Sequence, residues 1–160
     1  MLNHGVRILS TIGNSDDHCI CGLDYDNIHY MDAYAELQIL QRLFDLGTFY
    51  IFRTSPNHYM AVCFDTISTN TMDRILEKVS IDRYQKRAFS IYGRLGFRIT
   101  PKHKHIPEPV GRIMRKSSIR EPSESHITFF KGLYPNFIIA PRHMNYTFEG
   151  LTFEEFRRRE

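Results

Sequence analysis

Apolar and polar positions recur along the chain with two periods, and these periods predict most of its secondary structure. Residues 30–46 carry apolar side chains at helical spacing. Asp32 is a candidate N-cap, and Gly47 lies where a glycine commonly follows a helix. The pattern predicts one helix over 30–46, with a single broad apolar stripe formed by Ala33, Leu37, Ile39, Leu40, Leu43, Phe44 and Leu46.

Three apolar runs typical of strands flank this helix. One covers residues 18–26, and the other two, 48–54 and 58–64, are separated by Ser55-Pro56-Asn57. Proline fixes its own φ angle and asparagine tolerates the left-handed conformation, so this tripeptide predicts a tight turn. We therefore expect the second and third runs to form a β-hairpin.

The rest of the chain predicts shorter elements. Residues 68–79 and 82–92 have helical spacing, Gly93 ends the second of these helices, and 95–100 resembles a strand. Beyond Pro101 we expect loops over 102–105 and 107–109, a basic mixed segment over 112–120, short strands over 127–130 and 137–140, and a terminal helix over 148–159.

The predicted order is strand, helix, strand, strand, helix, strand. This order is typical of an α+β, ferredoxin-like or RRM-like βαββαβ fold, in which an antiparallel sheet carries its helices on one face. The other face is then open, which is where such sheets often bind nucleic acid. At 160 residues we expect a single domain over 1–160, with a core over about 18–100 and a C-terminal β/α extension over about 101–160.

Composition adds one hint about partners. The chain is 42% hydrophobic and 24% charged, which is ordinary for a globular protein and argues against disorder. Its net charge is only +3, but residues 83–120 hold most of the basic side chains while 16–45 lean acidic. This asymmetry favours a polyanionic partner such as DNA or RNA, although a solvated basic face remains an alternative.

The cysteines and apolar runs bear on location. Three cysteines cannot form a paired disulfide framework, and Cys19 and Cys21 lie in an apolar strand pattern. We find no signal-peptide pattern at the N-terminus and no apolar run long enough to span a membrane. We therefore expect a reducing, cytoplasmic location and no membrane partner.

The candidate chemistry lies where the first strand ends and the hairpin turns. Asp24 and Asp26 point to the same face because side chains alternate along a strand. Ser55 and His58 would lie close to them if the first and third strands are neighbours. Two carboxylates, an imidazole and a hydroxyl are groups that a divalent metal ion and a phosphate require. These residues are also common in turns, so a purely structural role is an alternative for each.

Asp24-Tyr25-Asp26 resembles the paired acids on the first core strand of the archaeo-eukaryotic primase (primase-polymerase) superfamily. Thr54 to Met60 is similar to that family's serine–histidine motif, with one extra residue before His58, and Asp82 resembles its later acid. The resemblance implies catalytic roles for Asp24, Asp26, His58 and Asp82, with the three aspartates holding Mg²⁺ or Mn²⁺. It also implies binding of nucleotides or nucleic acid by Ser55, Arg94, Arg98 and Lys102, and we expect Arg112 and Arg115 to extend that basic surface.

Two features separate the chain from this family. Asp82 is placed to begin a helix and could be its N-cap, and the chain has no room for the N-terminal module that family polymerases usually carry. The implied function is metal-dependent nucleotidyl transfer on a single strand or primer–template, using nucleoside triphosphates, in DNA replication. The small size would suit a virus or plasmid.

Two alternatives stay open. One is a rolling-circle-type or other nuclease, which shares the βαββαβ plan and pairs histidines as in His103-x-His105; its nucleophile would be Tyr84, near Lys86 and Arg87. Lysines and prolines bracket the two histidines, so a loop is the competing interpretation. The other alternative is a non-catalytic single-strand binding module, with bases stacked on Tyr25, Tyr59 and Phe97 of an open sheet.

Overall fold

Six strands and four helices make up the part of the chain that the structure describes. This structure, a computed structural model, describes residues 7–12, 17–81, 83–92, 96–98, 107–115 and 120–134. In chain order the elements are β1 (Arg7–Leu9), β2 (His18–Tyr25), α1 (Tyr30–Leu43), β3 (Phe49–Ser55), β4 (His58–Ser68), α2 (Thr69–Lys78), α3 (Arg83–Tyr92), β5 (Gly96–Arg98), β6 (Glu108–Ile113) and α4 (Glu124–Leu133). The fold class is α+β, as predicted.

The hairpin around Pro56 organises the main sheet. β3 and β4 pair antiparallel down to Ser55 opposite His58, and Asn57 takes the left-handed conformation with φ 60°. β2 pairs antiparallel with the other side of β4, which gives the strand order β2-β4-β3-β6. The predicted hairpin and the adjacency of the first and third predicted strands are therefore confirmed.

The fourth strand of this sheet is not the one we predicted. β5, within the predicted strand 95–100, pairs with β1 in a separate two-stranded sheet. In the main sheet β6 instead lies beside β3, where a loop was predicted around Pro109. Val110 and Ile113 bury their side chains there. Pro109 is tolerated because β6 is an edge strand and its register with β3 shifts at this point.

Helices cover both faces of the main sheet. Tyr59 and Phe64 of β4 are separated by five residues, so they face opposite sides. Tyr30 of α1 packs edge-on against Tyr59, with ring centroids 5.5 Å apart. Phe130 of α4 packs against Phe64 at 5.1 Å and against Phe52 at 5.5 Å. The expectation of an open sheet face is therefore wrong for the described part of the chain.

The second face is covered because residues 127–130, predicted as a strand, belong to α4. A four-residue apolar run does not distinguish helix from strand by itself. In the structure His126 and Phe130 are buried while Phe129 is 44% exposed, which is helical and not alternating spacing. The ring contacts of Phe130 with the sheet favour the helix, since they bury its whole side chain.

The ends of α1 differ from the prediction by a few residues. His29, and not Asp32, occupies the N-cap position, and Asp32 lies in the first turn. After the helix, Asp45 takes the left-handed conformation with φ 51°. Gly47 serves a different purpose from the one expected: its N–H donates to Asp65 at 2.8 Å, and a Cβ there would lie 3.0 Å from that carboxylate.

The buried stripe of α1 is narrower than predicted. Ala33, Leu37 and Leu40 are buried, but Ile39 and Leu43 are 58% and 62% exposed. They lie on the side of the helix that faces away from the sheet. A broad apolar pattern thus overestimates the part of a helix that reaches the core.

The two following helices agree with the prediction. α2 begins after Ser68, whose side chain accepts a hydrogen bond from the N–H of Thr71 at 3.1 Å. α3 covers most of the predicted helix 82–92. None of the described helices is long and apolar enough to cross a membrane. The predictions for 102–105, 137–140 and 148–159, and for Gly93, lie outside the described residues.

Candidate functional site

Asp26 and His58 form a hydrogen-bonded pair at one end of the main sheet. Oδ1 of Asp26 lies 2.7 Å from Nδ1 of His58. The pair sits one position beyond the facing residues Tyr25 and Tyr59, so strand pairing brings the two side chains together. Both remain accessible, with 50% of the Asp26 side chain and 32% of the His58 side chain exposed. The predicted approach of an aspartate to His58 is confirmed for Asp26.

Backbone contacts hold the two loops that carry this pair. The N–H of Ile28 donates to the carbonyl of Asn57 at 3.1 Å, which joins the segment after β2 to the β3–β4 turn. Asn27 takes a left-handed conformation with φ 52°, as asparagine tolerates better than most residues. Asp26 and His58 therefore project from connected backbone, and their contact does not depend on two independent loops.

Asp24 lies within β2, two residues before Asp26, which follows the end of the strand. It stands opposite Met60 in the sheet and is half-buried. Its backbone N–H points away from β4 and donates to Oε1 of Gln85 on α3, at 2.9 Å. The helix α3 is thereby attached to the edge of β2, two residues from Asp26.

Ser55 lies across the turn from His58. The two residues are the last pair of the hairpin ladder, and Ser55 is half-buried. The register thus places Ser55 next to His58, and the grouping of its hydroxyl with the imidazole and the carboxylates stays a prediction.

The described residues do not complete the metal site that the resemblance implies. No three histidine, cysteine, aspartate or glutamate side chains converge on one position in the part of the chain that the structure describes. Asp82, the third expected ligand, lies outside the described residues. Among the expected catalytic residues that the structure describes, Asp26 and His58 are in direct side-chain contact.

The pair can do acid–base chemistry. A carboxylate that accepts a hydrogen bond from Nδ1–H fixes the imidazole tautomer and leaves Nε2 as the acceptor. Nε2 of His58 can then take a proton from an attacking hydroxyl or water, and Asp26 stabilises the imidazolium that forms. The partial exposure of both side chains leaves room for a polymeric substrate to approach.

Arg112 and Arg115 do not extend this site. They line a cleft of about 530 Å³ between α1 and β6, together with Arg42, Gln38, Gln41 and Tyr34. This cleft lies beside the Phe49 end of β3, whereas His58 follows the Ser55 end, about 20 Å away along a strand of this length. The predicted continuous basic surface is therefore wrong for Arg112 and Arg115.

Arg115 is tied to the protein itself. Its guanidinium donates to the carbonyls of Gln41 and Leu46, and Nη2 lies 2.7 Å from Asp45. These contacts join the residues after β6 to the end of α1, where the carbonyl of Gln41 also accepts a hydrogen bond from the N–H of Leu46 at 3.0 Å. Arg115 therefore stabilises the C-terminal end of α1.

Two of the three stacking residues expected for a binding module are buried, and the side chain of the third, Phe97, lies outside the described part of the chain. Tyr25 and Tyr59 are 1% and 3% exposed, and Tyr59 is covered by Tyr30. Burial, with a smaller contribution from nearby Glu36, raises the pKa of the Tyr25 hydroxyl. Neither ring can stack on a base, so this part of the alternative is wrong.

Several other expected residues have a different status. Arg94, Lys102, His103 and His105 lie outside the described residues, and Arg98 is described only as part of β5. On α3, Tyr84 is 64% exposed and Arg87 is exposed, while Nζ of Lys86 donates to the carbonyl of Val79 at 2.7 Å.

The sequence interpretation missed Gln85. This residue lies four positions before Phe89, which is buried, so its side chain is directed toward the protein and not toward solvent. A polar residue on the inward face of a helix indicates a hydrogen-bond partner, and here that partner is the backbone of Asp24. The signal was present in the helical spacing.

Comparison of the chain with protein-family models, with curated proteins and with solved structures gives no match in any of the three. The functional argument therefore depends on the geometry of the chain itself.

Proposed function

We propose that this protein is a nucleic-acid enzyme of the primase-polymerase kind, with the Asp26–His58 pair at its catalytic centre. The observation that carries the proposal is the 2.7 Å contact between Asp26 Oδ1 and His58 Nδ1 at an accessible end of the sheet. Turn residues with no shared role have no need to meet in this way. The excess of basic residues over 83–120 supports a polyanionic substrate.

In the proposed reaction His58 acts as general base and Asp26 as the group that orients it. Nε2 of His58 removes the proton from the 3′-hydroxyl of a primer, whose oxygen bonds to the α-phosphorus of a nucleoside triphosphate. The bond between that phosphorus and the bridging oxygen breaks, and pyrophosphate leaves. A correctly placed general base contributes roughly 10²- to 10⁴-fold to rate. Ser55, across the turn from His58, is placed to donate a hydrogen bond to a phosphate oxygen.

The proposed reaction also depends on Mg²⁺ or Mn²⁺, because the resemblance to the primase-polymerase superfamily implies this. The ligands would be Asp24, Asp26 and Asp82. Three of the strands support the ferredoxin-like relation that the resemblance implies, because the order β2-β4-β3 is the order expected for the first three strands of that core. The relation is proposed for these strands and α1 only.

A nicking nuclease is the second candidate, and one observation favours it. Gln85 attaches α3 to β2 beside Asp24, so the neighbouring Tyr84, 64% exposed, is carried on a helix adjacent to the site. In that reaction His58 removes the proton from the Tyr84 hydroxyl, whose oxygen bonds to the phosphorus of a phosphodiester. A phosphotyrosine ester forms as the bond from phosphorus to the 3′-oxygen breaks, and His58 returns the proton to that leaving oxygen.

An activity assay on two substrates tests the proposal. Wild-type protein is incubated with Mg²⁺, Mn²⁺ or EDTA, on a labelled primer–template with nucleoside triphosphates and on a labelled single strand. We expect metal-dependent extension, a loss of roughly 10²-fold or more in His58→Gln, and wild-type rates in His18→Gln, an exposed histidine at the other end of β2. Cleavage abolished by Tyr84→Phe would favour the nuclease. No metal-dependent product on either substrate would contradict both.

A further inference from the structure

Three large apolar side chains of α3 are exposed to solvent. Tyr84, Ile91 and Tyr92 are 64%, 61% and 68% exposed, although the same helix buries Phe89. Tyr84 and Ile91 are seven residues apart, so they lie on one face, and the exposed Arg87 lies between them. Large apolar side chains clustered on a surface mark a site of interaction. Nothing in the proposed reaction requires them.

The charge of the segment that contains α3 indicates which class of partner it would bind. From Arg83 to Pro107 the sequence contains seven lysines and arginines and no aspartate or glutamate. Lys86 is engaged with the carbonyl of Val79, so Arg87 is the described cation on the exposed face. A surface that combines tyrosine rings with positive charge and lacks acids suits a nucleic acid better than an apolar or a basic peptide.

The position of α3 connects this face to the candidate active site. Gln85 accepts a hydrogen bond from the backbone of Asp24, and Phe89 is buried one turn later. These two contacts hold the inner side of the helix against the protein. A strand lying along the outer side would therefore lead toward the end of β2, where Asp26 meets His58.

We propose that the exposed side chains of α3, with Tyr84 and Arg87 on one face and Tyr92 on the adjacent side at the end of the helix, bind single-stranded nucleic acid; these three residues are called the α3 strip. Bases stack on the two tyrosine rings, which lie about 12 Å apart along the helix axis, and Arg87 pairs with a backbone phosphate. Only unpaired bases offer their faces to a ring, so the strip discriminates against a duplex. The inference depends on the proposed function solely in taking nucleic acid as the partner.

Fluorescence anisotropy with a labelled oligothymidylate in EDTA and low salt measures this binding without any chemistry. Tyr84→Ala and Tyr92→Ala should each weaken binding roughly 5-fold or more, because a base–aromatic stack contributes about 1–3 kcal/mol. Tyr84→Phe and Tyr92→Phe keep the ring, so they should bind within about 2-fold of wild type. An unlabelled duplex of the same length should compete more weakly than the single strand.

Matched variants on α4 provide the control. Phe129 is 44% exposed and Lys131 is exposed, so Phe129→Ala and Lys131→Gln remove comparable groups from another helix. Neither should change affinity. An abasic oligonucleotide keeps its phosphates, and we expect it to bind wild type and Tyr84→Ala equally weakly. If folded Tyr84→Ala/Tyr92→Ala protein, checked by circular dichroism, binds oligothymidylate as well as Phe129→Ala does, the inference is wrong.

The same measurements separate this inference from the proposed function. If the protein binds single strands through its tyrosine rings and shows no metal-dependent activity, that result would support binding by the α3 strip and contradict the proposed enzymatic function. Metal-dependent activity, with an affinity for single strands that does not change when Tyr84 and Tyr92 are substituted, would support the enzymatic function and contradict binding by the α3 strip. Absence of binding to any single strand at low salt would overturn the strip.

Discussion

Asp26 and His58 meet because each is the neighbour of a buried tyrosine in a facing pair, Tyr25 and Tyr59. The tyrosines fix the register of β2 on β4, and a shift by one residue would move every side chain to the other face. The accessible pair is thus positioned by buried residues that take no part in chemistry. Substitutions at Tyr25 or Tyr59 would disturb the site indirectly.

Arg115 shows how a residue chosen by charge can have a structural role. Its positive charge in the sequence suggests nucleic-acid binding. In the structure its guanidinium instead contacts the end of α1 and Asp45. Nothing in the local sequence indicates that the carbonyls of Gln41 and Leu46 would be nearby, because they are some 70 residues away along the chain.

Arg115→Gln should therefore reduce stability and leave nucleic-acid affinity unchanged. Hydrogen bonds to a charged group contribute about 1.5–3 kcal/mol when buried, and partial exposure lowers this, so we expect a loss of roughly 1–2 kcal/mol. Urea denaturation measures it. Arg42→Gln, on the exposed side of the same cleft, is the matched control and should stay within about 0.5 kcal/mol of wild type. If Arg115→Gln binds nucleic acid more weakly and its free energy of unfolding is unchanged, the structural role assigned to Arg115 is wrong.

Elements with a strong periodic or turn signal could be predicted from the sequence. The helical spacing of Ala33, Leu37 and Leu40 and the Pro56-Asn57 turn depend on neighbours in sequence, and the structure contains both the helix and the hairpin. β6 and α4 could not be predicted in the same way. Their side chains are buried by β3 and by Phe52 and Phe64, which are distant in sequence.

The contact between α1 and β6 gives a prediction for one glycine. A Cβ on Gly111 would lie 2.1 Å from the Tyr30 hydroxyl, well inside contact distance, whereas a Cβ on Gly132 of α4 meets nothing within 4 Å. Gly111→Ala should destabilise the protein by roughly 1–3 kcal/mol, and Tyr30→Phe should restore part of that loss. Gly132→Ala should stabilise it by about 0.5–1 kcal/mol. Equal effects at the two glycines in thermal unfolding would contradict this packing.

At the scale of the whole molecule, the main sheet is enclosed. α1 covers one face and α4 the other, and the outer edge of β2 is paired with the backbone of Ser10 and Ile12. The sequence predicted an open face because the helix over 124–133 was not recognised. Because both faces are covered, a substrate can reach the sheet only at its ends and edges, where the Asp26–His58 pair and α3 lie.

Enclosure also predicts sensitivity to alkali. Burial, with a smaller effect of Asp73, raises the pKa of the Cys19 thiol from 9.0 to about 12, and burial raises that of Tyr25. The unfolded chain therefore loses these protons at lower pH than the folded chain does. The free energy of unfolding should be unaffected by them below pH 9.0 and should fall from there toward pH 12, by up to about 1.4 kcal/mol per pH unit for each group.

Urea denaturation at a series of alkaline pH values measures this slope. Cys19→Ala removes one of the groups whose pKa is raised by burial, so the slope of this variant should be smaller than that of wild type. Stability that is constant through this range would show that the thiol and the phenol ionise equally well in the folded protein.

The central claim is that Asp26 and His58 act as one unit in catalysis, and a double-mutant comparison of kcat tests it most directly. Asp26→Asn, His58→Gln and the double variant are assayed for metal-dependent extension under identical conditions. If Asp26 and His58 act as one unit, the double variant should lose no more activity than the more damaging of the two single variants, because the losses are then not additive. Losses that multiply, or a His58→Gln variant as active as wild type, would contradict the account.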